Sequence, residues 1–298
     1  MPPSRESGPE ASGVSSSISL VEITEVVGKL LSGKAPGVDE IRPEMLKALD
    51  IVGLSWLTRL CNIAWTSGTV PLDWQTGVVV PIFKKGDRRV CANYRSITLL
   101  SLPGKVYAKV LERRLRPIVE PQIEEEQCGF RPGRGTMDQL FTLSQIVEGA
   151  WEFANPVYMC FVDLEKAYDR VPRDILWEVL WEYGVPGLLL RAIQSLYSRS
   201  ESCVRILGIK SDSFRVSVGL RQGCALSPLL FVIFMDRVSG RSQGVRRALC
   251  VEAGGWCLCY LQMMLFFWRN HMDVSNARWS GLQLSVKRLV CGSAPPSL

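Results

Sequence analysis

The apolar positions along this chain change period several times, and each change marks an expected element. From Ser19 onward Leu20, Ile23, Val26, Val27, Leu30 and Leu31 recur at three- and four-residue steps, the spacing of an amphipathic helix. Ser19 suits the N-cap and Gly33 a stop, so this helix is expected to run to about Gly33. After the loop holding Gly33, Pro36 and Gly37, a short helix is expected behind Pro43, then a longer one over residues 54–65 that ends at Gly68. Residues 78–83 form a β-rich run that breaks at Lys84-Lys85-Gly86-Asp87, which predicts a strand feeding a basic loop. A helix over residues 104–115 follows.

Residues 157–162 are all apolar and lead into a carboxylate, the pattern of a central buried strand that presents Asp163 at its end. Helices are expected over 173–183 and 186–197. The β-prone runs 203–207 and 214–218, separated by 208–213, read as a hairpin whose second strand delivers Arg221-Gln222-Gly223. Ser227-Pro228 then opens an apolar helix to about residue 238, with serine as cap and proline in the first turn. After Gly244 the character shifts. Residues 245–298 hold two acids, Glu252 and Asp273, beside six Arg and Lys, and show no clear amphipathic period.

Composition narrows the picture without deciding it. At 298 residues and 47% hydrophobic, the chain can bury one large core or two modest ones. Its formal charge of +6 is compatible with a polyanionic partner. Ten cysteines are scattered without a Cys-x-x-Cys pair and with one histidine, His271, so a zinc finger is not expected. Cysteines within apolar runs, such as Cys160, read as reduced core residues and fit an intracellular compartment, nucleus or cytoplasm being undecided. Residues 1–17 carry no apolar core and read as a disordered lead-in, neither signal peptide nor anchor. The apolar stretch 256–268, 13 residues long, falls short of the ~20 that a spanning helix needs. No membrane partner is expected.

The candidate chemistry lies in ordered blocks. They are Gly33-Lys34-Ala35-Pro36-Gly37-Val38-Asp39, Pro81-Ile82-Phe83-Lys84-Lys85-Gly86-Asp87, Asn93-Tyr94-Arg95-Ser96-Ile97 and Gln127-Cys128-Gly129-Phe130-Arg131-Pro132-Gly133-Arg134-Gly135-Thr136. Two more follow, Phe161-Val162-Asp163-Leu164-Glu165-Lys166-Ala167-Tyr168-Asp169 and Arg221-Gln222-Gly223-Cys224-Ala225-Leu226-Ser227-Pro228-Leu229-Leu230-Phe231. Singly each is weak, but in this order over residues 18–244 they resemble the reverse transcriptase of non-LTR (LINE-type) retrotransposons.

The resemblance implies an α+β fold of helical fingers and a partial palm, the palm built on an antiparallel sheet carrying Asp163, with no recognisable thumb. It divides the chain into a lead-in (1–17), fingers with their N-terminal extension (18–156), partial palm (157–244) and an aberrant tail (245–298). It also implies RNA-directed DNA polymerase chemistry with Mg²⁺ as cofactor and an RNA template and DNA primer as partners. Such transfer uses two metals roughly 3.5 to 4 Å apart, held by carboxylates. Asp163 matches one metal ligand; the plainer alternative is an aspartate that caps the next turn. Lys84 and Arg95 match residues that meet the incoming triphosphate, or else belong to a solvated basic loop. Tyr168 matches the aromatic gate against a ribose 2′-hydroxyl, or else packs in the core. Gln222 and Gly223 match the element that supports the template base, and Arg131 and Arg134 match cations that track template phosphates. Ser96 replaces the family's usual proline.

One block departs from the family. Where Phe or Tyr followed by Ala-Asp-Asp is due, the chain reads Leu261-Gln262-Met263-Met264-Leu265, and thioethers are soft ligands ill suited to Mg²⁺. Methionine has a single codon, ATG. Met263-Met264 is therefore ATG-ATG, and a frame starting on each third base gives GAT, an aspartate; permitted codons for residues 260–266 then spell Phe-Ala-Asp-Asp-Val-Val. The same shift lets residues 281–288 encode Phe-Ala-Ala-Glu-Cys-Glu-Ala, the kind of helix that follows the pair. A one-base slip near Gly244 is the reading these two stretches share, against a genuinely diverged tail. Without the second palm strand, an open sheet edge beside residues 157–162 is expected. Three functions stay in view: a polymerase, a non-catalytic nucleic-acid binder, and an inert product of a decayed element.

Overall fold

Ser19 opens the first helix as a reciprocal cap: its hydroxyl accepts from the Glu22 backbone at 3.2 Å, and the Glu22 carboxylate accepts from the Ser19 N–H at 2.8 Å. The structure, a computed structural model, describes residues 16–125, 127–153, 158–164, 166–250, 258–259, 263–268 and 284–290. The helices are α1 (Leu20–Gly28), α2 (Pro43–Lys47), α3 (Ile51–Ser67), α4 (Leu72–Gln75), α5 (Leu102–Val119), α6 (Thr136–Glu152), α7 (Arg173–Glu182), α8 (Gly187–Ser195) and α9 (Ser227–Cys250). The strands are β1 (Thr76–Phe83), β2 (Tyr94–Leu100), β3 (Tyr158–Leu164), β4 (Glu201–Ile206), β5 (Ile209–Lys210), β6 (Phe214–Arg215), β7 (Leu258–Cys259), β8 (Met263–Trp268) and β9 (Leu284–Val290). Two compact units result, Met1–Gln122 with Pro172–Leu230, and Ile123–Val171 with Phe231–Leu298.

In the first unit, α1, α3, α5 and α8 close around fully buried Ile23, Trp65, Tyr107, Leu111, Leu189 and Ile193. Arg114 on α5 grips Glu22 with two hydrogen bonds of 2.9 Å and lies over the Trp65 ring at 4.9 Å. Helix α1 stops at Gly28, short of Gly33, and Leu31 beyond it is exposed. The apolar period ran on, but the next residues turn away to the Gly33 N–H, which donates to Glu44 at 2.6 Å. Helix α3 starts earlier than expected because Asp50 caps it through the Gly53 N–H, and Gly68, in the left-handed region, ends it.

The sheet of this unit runs β2-β1-β4-β5, with β6 also on β4. Strands β1 and β2 pair antiparallel from Gly77↔Leu100 to Phe83↔Tyr94, whereas β1 and β4 pair parallel from Thr76↔Glu201 to Val79↔Val204. The hairpin expected across 208–213 is tighter. Strand β4 turns directly into β5 at Leu207-Gly208, and β6 is a two-residue pairing that ends at Arg215, well short of Gln222.

The second unit carries an antiparallel sheet in the order β7-β8-β3-β9. Here the expected open edge is overturned: β3 pairs with β8 from Tyr158↔Trp268 to Asp163↔Met263, and with β9 from Tyr158↔Val290 to Leu164↔Leu284. The reason is physical. A central apolar strand needs partners for its amides and carbonyls on both sides, and the β8 and β9 sequences are apolar enough to supply them. The expected disordered lead-in lies almost wholly outside the described residues, as do the acids Glu252 and Asp273.

Candidate nucleotide and nucleic-acid site

The basic loop between β1 and β2 is built by its own hydrogen bonds. The Lys84 N–H donates to the Asn93 carbonyl at 2.9 Å, Asn93 Nδ2 donates to the Asp87 carbonyl at 2.8 Å, and Tyr94 Oη donates to the Arg88 carbonyl at 2.9 Å. Arg88 lies over the Phe83 ring at 5.3 Å, and Phe83 meets Tyr94 edge-on at 5.4 Å. Lys84 and Arg95 stand exposed at this end of the hairpin, where Arg95 pairs with Ile82. The loop thus gathers Lys84, Lys85, Arg88, Arg89 and Arg95 against one acid, Asp87, a fixed cationic surface suited to phosphate.

Strand β2 is also the anchor for two glycines. A Cβ on Gly37 would lie 2.4 Å from the Ser101 nitrogen and 2.5 Å from the Leu100 carbonyl carbon. One on Gly223, at φ +80, would lie 2.9 Å from the Thr98 carbonyl oxygen. Gly37 of the first block and Gly223 of the last therefore converge on the strand that carries Arg95. Of the expected nucleotide-facing residues, Lys84 and Arg95 share the β1–β2 hairpin, and Gly223 rests against the same β2 strand at Thr98.

Two arginines to which the sequence assigned no role hold this arrangement. Arg173 Nε donates to the Gly219 carbonyl at 2.9 Å, and its Nη1 donates to those of Val216 at 2.9 Å and Tyr197 at 3.2 Å, with the guanidinium 5.0 Å from the Tyr197 ring. Arg221 donates to the carbonyls of Leu196 and Trp74, and its own carbonyl accepts from Ser227 Oγ at 2.8 Å. Burial pushes both guanidinium groups below their ordinary value. Burial likewise lowers the Lys105 ammonium, with Arg221 adding to the shift and Cys224 opposing it. The carbonyl-rich setting of the two arginines is visible only in three dimensions, because their partners are backbone atoms remote in sequence.

In the second unit the loop before α6 turns through Phe130 at φ +56 and Gly133 at φ +72. Arg131 is turned inward, its Nη1 donating to the carbonyls of Glu124 at 2.7 Å and Gln127 at 3.1 Å, while Arg134 is exposed. Buried Asp236 on α9 accepts from the Glu124 N–H at 2.9 Å and ties down the start of the same loop. Burial pushes the Cys128 thiol up, and Gln139 Nε2 lies 2.6 Å from its sulfur. Tyr168 is half-buried, stacked on Phe231 at 4.7 Å and edge-on to Phe130 at 6.3 Å, and burial pushes its hydroxyl upward.

The β3 register sets Asp163 opposite Met263 on β8 and Ser285 on β9. Strands β3, β7, β8 and β9 contain one acid between them, Asp163. Among the described residues no three His, Cys, Asp or Glu side chains are grouped to hold a metal ion. The donors at these positions do not fit a two-metal site for Mg²⁺, which wants hard oxygen ligands.

Residues 82–267, more than half of the chain, match the family model described as reverse transcriptase (RNA-dependent DNA polymerase). The chain belongs to that family. The chain is 29% identical over 220 residues to the probable RNA-directed DNA polymerase from transposon X-element of Drosophila melanogaster, covering 72% of this chain and 24% of the relative. It is 28% identical over 233 residues to the RNA-directed DNA polymerase from mobile element jockey of the same species (74% and 24%), and 28% over 220 residues to the transposon TX1 uncharacterized 149 kDa protein of Xenopus laevis (74% and 17%). The lineage is that of LINE-type elements, and the chain spans about a quarter or less of each of these relatives. In fold it is similar to Candida tropicalis telomerase in complex with a telomeric RNA fragment, with a TM-score of 0.53, 12% identity and coverage of 83% of this chain and 46% of that one. The apo telomerase truncated from its C-terminal domain gives a TM-score of 0.54 at 14% identity, covering 84% and 59%. Among the described residues no helix is long and apolar enough to cross a membrane.

Proposed function

We propose that this reverse transcriptase domain holds nucleic acid but does not extend a primer. The observation that carries the reading is the β3 register: Asp163 is paired with Met263 and Ser285, and the strands of its sheet contain no second acid. Polymerase chemistry stabilises charge on the transferring phosphoryl group through metals held by several carboxylates. With two of three missing, transition-state stabilisation falls by several kcal/mol. A one-base slip near Gly244 accounts for the change, because ATG-ATG read one frame over gives one aspartate and, with CAG for Gln262, the aspartate pair of the family.

Binding is supported from the other unit. The loop holding Lys84, Lys85, Arg88, Arg89 and Arg95 keeps its cations on the β1–β2 hairpin, and Gly223 approaches β2 closely at Thr98. The similar telomerase carries RNA in its structure, and the relatives named above are RNA-directed polymerases. On this reading Lys84, Arg95 and Arg134 meet phosphates, Gln222 and Gly223 support a template base, Tyr168 borders the sugar, and RNA with a DNA primer is the natural ligand. Asp163 remains as the one surviving metal ligand of a site that no longer closes around Mg²⁺. The test is a labelled DNA primer on an RNA template, with Mg²⁺ and dNTPs, scored in one tube for anisotropy and for extension. Salt-dependent binding without added nucleotides is expected. Extension abolished by Asp163→Ala would overturn the reading, and absence of binding would leave only the inert-product alternative.

A further inference from the structure

The turn between β4 and β5 makes two choices that local energetics oppose. Leu207 sits at φ +50 beside Gly208 at φ +85, and two-residue turns of this kind favour Asn, Asp or Gly at both central positions. Leu207 is nevertheless 98% exposed, flanked by Ile206 and Ile209 at 57% and 77%. Directly behind them Arg205 and Lys210 are cross-strand partners, a like-charge pairing that disfavours the hairpin. Lys210 Nζ lies 3.3 Å from Glu40 Oε1 in a solvent-exposed pair, which does little to offset this. The result is an apolar tip on a cationic collar.

We infer that this tip is a wedge for double-stranded nucleic acid, with Leu207 inserted at a base step and Arg205 and Lys210 on the flanking phosphates. A polyanion relieves the like-charge pair, and an unstacked base step covers the exposed leucine; inserted Leu and Ile side chains act this way at kinked duplexes. The inference rests on the nucleic-acid-binding reading above and adds to it a duplex-contacting element outside the family's motif blocks.

The experiment uses the full chain and an RNA–DNA duplex with 2-aminopurine beside the primer end. Binding is expected to raise the fluorescence through unstacking. Leu207→Gly, which suits positive φ and should fold at least as well, is expected to abolish the rise while affinity stays within about threefold, since phosphates supply most of it. Arg205→Gln with Lys210→Gln is expected to lower the salt slope by about 1.8, two phosphate contacts. An undiminished rise with Leu207→Gly overturns the wedge alone, as does a tip that governs only self-association in sedimentation or only binding to anionic vesicles. A chain that binds no duplex at any salt overturns the wedge and the underlying reading together.

Discussion

Gly223→Ala measures how firmly the last motif is tied to β2. Its φ of +80 costs an L residue about 1–2 kcal/mol. The added Cβ also meets the Thr98 carbonyl oxygen at 2.9 Å. That atom is backbone and cannot rotate away, so overlap adds about 1–3 kcal/mol. Gly184→Ala is the matched control, since Gly184 lies in the same unit at φ +71 with nothing within 4 Å of its added Cβ; it incurs the first cost alone. With a urea slope of about 2 kcal/mol/M, an extra cost of about 2 kcal/mol should lower the Gly223→Ala midpoint roughly 1 M further than that of Gly184→Ala at unchanged slope. Tryptophan fluorescence reads both. Equal midpoints for the two variants would refute the close approach of Gly223 to β2.

Other residues give independent checks. Arg114→Met should cost about 1–3 kcal/mol at pH 7, since it removes charge-assisted hydrogen bonds to Glu22 and to the Ser16 and Ser17 carbonyls. Burial alone would raise the Glu22 carboxyl, but hydrogen bonds from Arg114 and Ser19 hold it below its ordinary 4.5. Its contribution is therefore complete above about pH 4.5 and lost as pH falls through the lowered folded value, so the gap in urea midpoint between wild type and Arg114→Met should be smaller at pH 3 than at pH 7. Burial pushes the Cys61 thiol up to about 12, and at pH 8 an aromatic disulfide reagent should label exposed Cys91 at once and Cys61 only after unfolding. Lys84→Ala and Arg95→Ala should each reduce the salt slope of single-stranded RNA binding by about 0.7, whereas Arg131→Ala, whose guanidinium braces Glu124 and Gln127, should lower the melting temperature and leave that slope unchanged.

Much of the first unit was legible because it is local. Ser19 and Glu22 form their cap within one turn, Gly68 ends α3 where a left-handed residue was needed, and the β1 run announces itself by composition. The misread elements depended on distant partners. Nothing near β4 signals its parallel pairing with β1, and Leu207 gave no hint of a turn because leucine rarely adopts positive φ. Helix α6 and strand β2 went unassigned, since motif blocks occupied their ends and obscured the period. The site shows the same division. Lys84, Arg95 and Gly223 were named from motif order, but that Gly37 and Gly223 press on one strand is a tertiary fact. Arg131, expected beside template phosphates, also donates to carbonyls of its own loop, which motif order does not show.

The tail was judged by what it lacks. Its apolar runs nonetheless supply partners on both sides of β3, since backbone pairing asks only for β-prone residues and not for the family's side chains. Fold and chemistry separate here: a sheet tolerates Met263 opposite Asp163, but a two-metal site does not.

The most direct measurement is primer extension on an RNA template with Mg²⁺ by three forms: the chain itself, the chain with Asp163→Ala, and a version with the reading frame restored after Gly244. The account predicts product from the restored form alone. Extension by the unaltered chain that vanishes with Asp163→Ala would contradict it, and would mean that another group completes the metal site beside Asp163.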